Sequence, residues 1–213
     1  MKKNSIFCLL IIFCLFLSAC ASNKPPRERS DDYIADVNIF EVGTVHLYTT
    51  INFSKPKISD FYVTFSPRTN TLFVKARIGI DVVRLGFSYE ERKSINEAFN
   101  QYLEAYEQHN IPNVKPNKKN ALSKGEIYVG WGGLGTAHHV NTTYRTNTQY
   151  LEKTKPYFKI TLDTLEEEKG SQIYSPAACI YISPKQWETI VELCNQEKLE
   201  QMTDDILDQA NAF

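Results

Sequence analysis

From residue 45 on, apolar and polar side chains alternate with period two. Val45, Leu47, Thr49 and Ile51 fall on one face and His46, Tyr48, Thr50 and Asn52 on the other, the signature of a half-buried strand. Phe61, Val63 and Phe65 repeat the pattern. The turn-forming residues 66–70 (SPRTN) separate them from Leu72, Val74 and Ala76, and a fourth run carries Val83, Leu85 and Phe87. Four strands in succession predict an antiparallel meander. At Ser88 the period changes to that of a helix. Ser88 and Glu91 fit a capping box, and Ile95, Ala98, Phe99, Tyr102, Leu103 and Tyr106 make one apolar stripe that should end near Asn110, before Pro112.

A polar stretch rich in Lys, Asn and Pro follows, and then the same order returns. Ile127, Val129 and Trp131 alternate, then residues 136–145, then Phe158, Ile160 and Leu162, then Ala178, Ile180 and Ile182. Ser183-Pro184-Lys185-Gln186 opens a second capped helix, with proline where a helix has no use for its missing amide. Its apolar side is Trp187, Ile190, Val191 and Cys194. Ser183 stands 95 residues after Ser88, and Ile190 stands 95 after Ile95. The expectation is an α+β fold: antiparallel sheets with packed helices, as two ββββα repeats and a short C-terminal helix. The divisions are a first unit at 33–110, a linker at 111–124, a second unit at 125–200 and a C-terminal helix at 201–213.

The chain begins differently. Lys2 and Lys3 precede an uncharged apolar run of twelve, residues 6–17, which suits a secretory signal and is well short of the roughly 20 residues that span a bilayer as a helix. The run closes with Leu17-Ser18-Ala19-Cys20. This tetrad resembles the lipobox of bacterial type II signal peptides, the mark of bacterial lipoproteins. The resemblance implies a signal peptide at 1–19, cleavage before Cys20, and acylation of the Cys20 sulfur and of the new amino group. Several acyl chains at about 0.8 kcal/mol per buried methylene make a lasting membrane anchor. By similarity to the sorting rule of Gram-negative lipoproteins, Ala21 after the cysteine implies the outer membrane. Residues 20–32, polar and holding Pro25-Pro26, read as a flexible tether.

Charge then narrows the partners. The whole chain carries 24 basic and 25 acidic residues; without Lys2 and Lys3 the acidic excess grows to three, with no basic block. Nucleic acid is therefore not expected as a partner, although ββββα repeats are similar in topology to the nucleic-acid-binding PUR family. Of the five cysteines, Cys8 and Cys14 leave with the signal and Cys20 is the lipidation site. The 95-residue offset sets Cys179 and Cys194 on opposite sides of their sheet, so two unpaired thiols are expected.

Candidate chemistry is sparse. Residues 130–135 spell G-x-G-x-x-G after a strand, but a dinucleotide site needs a helix next, and residues 136–148 are poor helix material; a tight turn is expected. His46, His138 and His139 invite a metal, yet adjacent strand histidines point to opposite faces, so neither metal nor cofactor is expected. No catalytic residues stand out. Glu166-Glu167-Glu168 reads as a solvated hairpin tip. The first sheet's outer face is more suggestive. Tyr48, Tyr62, Phe73 and Arg77, with Lys75 and Arg84, would interleave aromatics with cations, a platform for a ligand or partner unless the second unit covers it.

These observations favour an envelope lipoprotein acting by contact, in a structural, assembly or surface-binding role, with an envelope or surface protein as partner. A lipid-anchored hydrolase of envelope material is the alternative. A small-ligand carrier would require a large internal pocket.

Overall fold

A computed structural model describes residues 29–212 except 53, 79, 80, 134 and 153; the expected signal peptide at 1–19, Cys20 and residues 21–28 of the expected tether lie outside the described residues. In chain order the elements are β1 (Phe40–Ile51), β2 (Lys57–Ser66), β3 (Thr71–Ile78), β4 (Asp81–Phe87), α1 (Tyr89–Glu107), β5 (Ser123–Gly132), β6 (His138–Glu152), β7 (Lys155–Leu162), β8 (Ala178–Ile182), α2 (Pro184–Cys194) and α3 (Gln196–Asn211).

The strands form one closed antiparallel barrel in sequence order, β1 pairing β8 to complete the ring. This overturns the α+β expectation of two sheets, each covered by its own helix. The alternation had placed the strands, but not which edges would meet. β4 pairs β5 across α1 and the linker, from Val82↔Gly132 to Gly86↔Tyr128, and β1 pairs β8 from Tyr48↔Tyr181 to Ile51↔Ala178. Two four-stranded meanders would each leave two edges of unpaired backbone; joining them end to end removes all four.

Inward-facing side chains make the core: Val45 and Leu47, Phe61, Val63 and Phe65, Leu72 and Ala76, Val83 and Leu85, Ile127 and Val129, Phe158 and Ile160, and Ile180 and Ile182 are all buried. The outer wall carries His46, Asp60, Lys75, Arg77, Arg84, Glu126, Arg145 and Lys159. That polarity is the reverse of a membrane-spanning barrel, whose outer band is apolar. Among the described residues no helix is long and apolar enough to cross a membrane.

All three helices gather at one end of the barrel, where β2 ends, β4 runs out into α1 and β8 runs out into α2. Both capping boxes form: Ser88 accepts from the Glu91 amide at 3.3 Å and Ser183 from the Gln186 amide at 3.3 Å, each returned by the N3 side chain. The C-terminal helix begins at Gln196 rather than at 201. Asn195, extended at φ −65°, ends α2 and caps α3 by accepting from the Lys198 amide at 2.9 Å. At the opposite end lie four loops. In one of them Gly132, at φ +143°, would put a Cβ 2.2 Å from the Thr136 carbonyl oxygen, so the glycine run serves a hairpin and is followed by strand β6, not by a helix.

Candidate functional site

The helix α1 does not plug the barrel end evenly. Its buried residues Ile95, Ala98, Phe99 and Tyr102 lean toward β5 and β7, and the Tyr102 hydroxyl donates to the Pro156 carbonyl at 3.0 Å. Phe99, fully buried, lies flat on Trp187 of α2 with ring centroids 4.2 Å apart and 9° between planes, and meets Phe158 of β7 edge-on at 5.1 Å. Helix α2 leans the other way, toward β1. Between the two helices and the β1–β3 and β8 walls a cavity of about 370 Å³ runs into the barrel.

The cavity is sharply divided by chemistry. Its walls are strand residues: Val45 and Leu47, Val63, Leu72 and Val74, Ile160, and Ile180 and Ile182. Trp187, Ile190 and Val191 of α2 close one side. Polar groups come from the helices alone: Tyr89, Arg92, Lys93 and Asn96 from α1, and Cys194, Asn195 and Gln196 from the α2–α3 junction. The lining holds two cations and no carboxylate.

Arg92 is held in place from outside the cavity. Its Nη2 donates to the Asn70 side-chain oxygen at 2.6 Å and to the Asn70 carbonyl at 3.0 Å, and its Nε donates to the Ser88 carbonyl at 3.4 Å. Asn70 in turn occupies a left-handed turn conformation at φ 41°, which asparagine tolerates, and donates to the Asp31 carbonyl at 2.8 Å. The Phe65 and Tyr89 rings lie 5.7 Å from the guanidinium carbon. Burial lowers the Arg92 pKa to about 10, the cost of keeping a cation out of water with no carboxylate beside it among the described residues. Cys194 lines the same cavity, and burial pushes its thiol up to about 11 despite the nearby Arg92 and Lys198 charges.

The residues singled out on the barrel's outside stand apart from this cavity. Tyr48, Tyr62, Phe73 and Arg77 occupy the outward positions of β1, β2 and β3; Tyr62 and Arg77 are exposed, whereas Tyr48 and Phe73 are half-covered by Tyr157 and Tyr128 from the second half of the chain. Tyr62 is 48% exposed, the Tyr48 ring meets Tyr157 edge-on at 5.9 Å, and Phe73 lies under the Arg84 guanidinium at 3.8 Å. Arg77 is exposed and sits opposite Val82. Cys20, the residue at which lipidation is expected, lies outside the described residues.

The other candidates resolve individually. His46 pairs with Asp60 at 2.8 Å, whereas His138 takes Glu167 at 2.9 Å, and no group of three metal-ligating side chains forms among the described residues. Glu167 is more than a solvated tip: it also accepts from the His139 amide at 3.0 Å and so ties the β7–β8 connection to β6. Those bonds, the amide's first, hold its carboxyl below the usual range. Both Cys179 and Cys194 are free, Cys179 on the outward side of β8 and Cys194 on the cavity.

What the residue pattern missed was the cavity and Arg92. One signal was there: Arg92 stands three before Ile95 and seven before Phe99, on the stripe of α1 that is otherwise apolar.

The sequence profile described as "Uncharacterised Treponema protein" matches residues 29–201. The chain belongs to this family. The match takes in every strand, α1 and α2, and therefore the whole lining of the cavity. An uncharacterized protein of Treponema pallidum (strain Nichols) is 25% identical over 196 residues, which cover 91% of this chain and 69% of that protein. No solved structure matches.

Proposed function

We propose that this family member is a lipid-anchored envelope protein whose barrel receives a small apolar or amphipathic molecule. The cavity carries the reading. Its 370 Å³ falls within the range of about 300–1,000 Å³ typical of small-molecule sites, and its lining combines apolar walls with a few placed polar groups. The side chains present there suit holding a ligand: isoleucines, valines and leucines, two cations and amides, with the one thiol, Cys194, kept protonated by burial.

The anchor reading rests on the lipobox, with the outer membrane as the proposed site. Residues 29–37 reach the barrel at the helix end: the Ile34 amide donates to the Pro67 carbonyl at 2.9 Å, and Arg29 bonds Glu200 at 3.0 Å and Asp204 at 2.6 Å on α3. Arg29 stands nine positions after Cys20, a reach of roughly 30 Å at full extension. A lipid on Cys20 therefore keeps the open end of the barrel close to a bilayer.

The full chain carrying Cys20→Ser should leave the membrane fraction or stall as an uncleaved precursor; retention on membranes after a high-salt wash counts against the anchor. That same chain, titrated with the uncharged fluorophore N-phenyl-1-naphthylamine, should bind it saturably at one site. Val63→Trp, which pushes an indole into the cavity, should abolish binding while circular dichroism stays unchanged. Absence of saturable binding, or undiminished binding by a folded Val63→Trp, refutes the ligand reading.

A second reading has its own observation. Tyr48, Tyr62, Phe73 and Arg77 lie on the outer wall, Tyr62 and Arg77 exposed, and a protein partner in the envelope could dock there. Tyr62→Ala with Arg77→Ala should then remove a crosslinked partner from intact cells without changing fluorophore binding; unchanged crosslinking argues against it.

A further inference from the structure

A barrel that merely stored an oily molecule would have no need of a charge at its mouth, and even half-burying an arginine without a counter-ion is costly. Arg92 has five N–H donors, three of which are used by Asn70 and Ser88; the two on Nη1 have no partner among the described residues. Gln196, at the α2–α3 junction on the same cavity, presents the complement. Its Oε1 is fully buried and accepts nothing, while its Nε2 is committed to Glu200 at 2.8 Å. A buried polar atom left open in this way ordinarily finds a partner. Here a half-buried cation with two open donors and one buried, unpartnered amide oxygen border the same cavity, and the exposed Lys93 adds a second positive charge at its rim.

We propose that the cavity is built for a single-chain anionic amphiphile, whose acyl chain lies among the strand side chains and whose carboxylate or phosphate meets the Arg92 guanidinium at the mouth. This rests on the reading of the barrel as a ligand-holding calyx. The anion would take the two free Nη1 donors and neutralise a charge the apolar surroundings disfavour. A hydroxyl near the head, as in a monoacylglycerol phosphate, or a protonated head would donate to Gln196 Oε1. Cavity length then selects for the chain: each methylene buried should tighten binding about fourfold until the walls are filled.

The test displaces N-phenyl-1-naphthylamine from the full chain carrying Cys20→Ser, with palmitate, hexadecanol and lysophosphatidate as competitors. Palmitate and lysophosphatidate should both displace it at least about tenfold more effectively than hexadecanol, a difference the size of one charge-assisted hydrogen bond. The tighter of the two anions gives the head group. In Arg92→Met the advantage over hexadecanol should vanish, whereas in Lys159→Ala, which removes a cation from the barrel's outer wall, it should persist. Equal displacement by palmitate and hexadecanol in the parent chain overturns the proposal without needing any variant to fold, and leaves the calyx reading intact because the fluorophore still binds. An advantage that survives Arg92→Met in a folded protein overturns the assignment to Arg92. If the fluorophore itself fails to bind, the calyx reading falls and the proposal with it.

Discussion

Replacing Phe99 by alanine should cost more stability than any other single truncation at the helix end of the barrel. The ring is fully buried and joins three elements: it stacks on Trp187 of α2 at 4.2 Å, and meets Phe158 of β7 and Tyr102 of its own helix at 5.1 Å each. Removing a buried Phe side chain costs about 3–5 kcal/mol in transfer and cavity terms. Each aromatic pair contributes roughly 0.5–1.5 kcal/mol beyond its area, so the loss belongs at the upper end, about 5 kcal/mol. A domain of this size loses about 2–4 °C of Tm per kcal/mol, which makes the expected fall roughly 10–20 °C. Phe99→Leu, which keeps most of the volume and loses the ring contacts, should fall by a few degrees only. The assay is thermal and urea unfolding of Phe99→Ala, Trp187→Ala and the double variant. Rings in direct contact should couple by about 1 kcal/mol, so the double variant should be less destabilised than the sum of the singles. A cost under about 2 kcal/mol for Phe99→Ala, or additivity within about 0.4 kcal/mol, would refute the view that this stack is what fixes α1 to α2.

Two further outcomes are expected. Burial alone would raise the Asp163 carboxyl, but hydrogen bonds from Arg145, Thr143 and Lys118 outweigh it and leave the group below its usual range. A carboxyl lowered by folding stabilises the protein above its unfolded pKa near ~3.9, and the contribution fades as pH falls through the lower folded value. The gap in Tm between the parent and Asp163→Asn should therefore be constant near neutrality and shrink below about pH 4; a gap that stays constant to pH 2.5 contradicts the assignment. Mass mapping after treatment with a neutral alkylating reagent at pH 8 should find Cys179 modified well before Cys194, whose thiol is raised to about 11 and faces the cavity. Equal rates, or a peptide joined through both cysteines, would refute the placement.

How much of this was legible beforehand can be followed residue by residue. Period-two alternation put Val45 and Leu47, Phe61 and Val63, and Ile180 and Ile182 on inward faces, because a strand's side chains alternate whatever its neighbours are. The serines at 88 and 183 started helices because a cap is a local bargain between one side chain and nearby amides. Both features depend on residues a few positions apart. The Leu17-Ser18-Ala19-Cys20 motif is local in the same sense and carries the proposal of a lipid anchor.

The sequence by itself determined where strands run, where α1 and α2 begin and which apolar strand side chains turn inward. Only the tertiary structure decided that the strands close into a single ring, since β4 with β5 and β1 with β8 meet through backbone pairing between segments far apart in the chain, and any strand's free edge can accept any other. That closure turned the faces of two expected sheets into the inside and outside of one wall. It left Tyr62 and Arg77 on the outside, and it placed Arg92, an arginine on an otherwise apolar helical stripe, at the mouth of a cavity that exists only because the ring is closed.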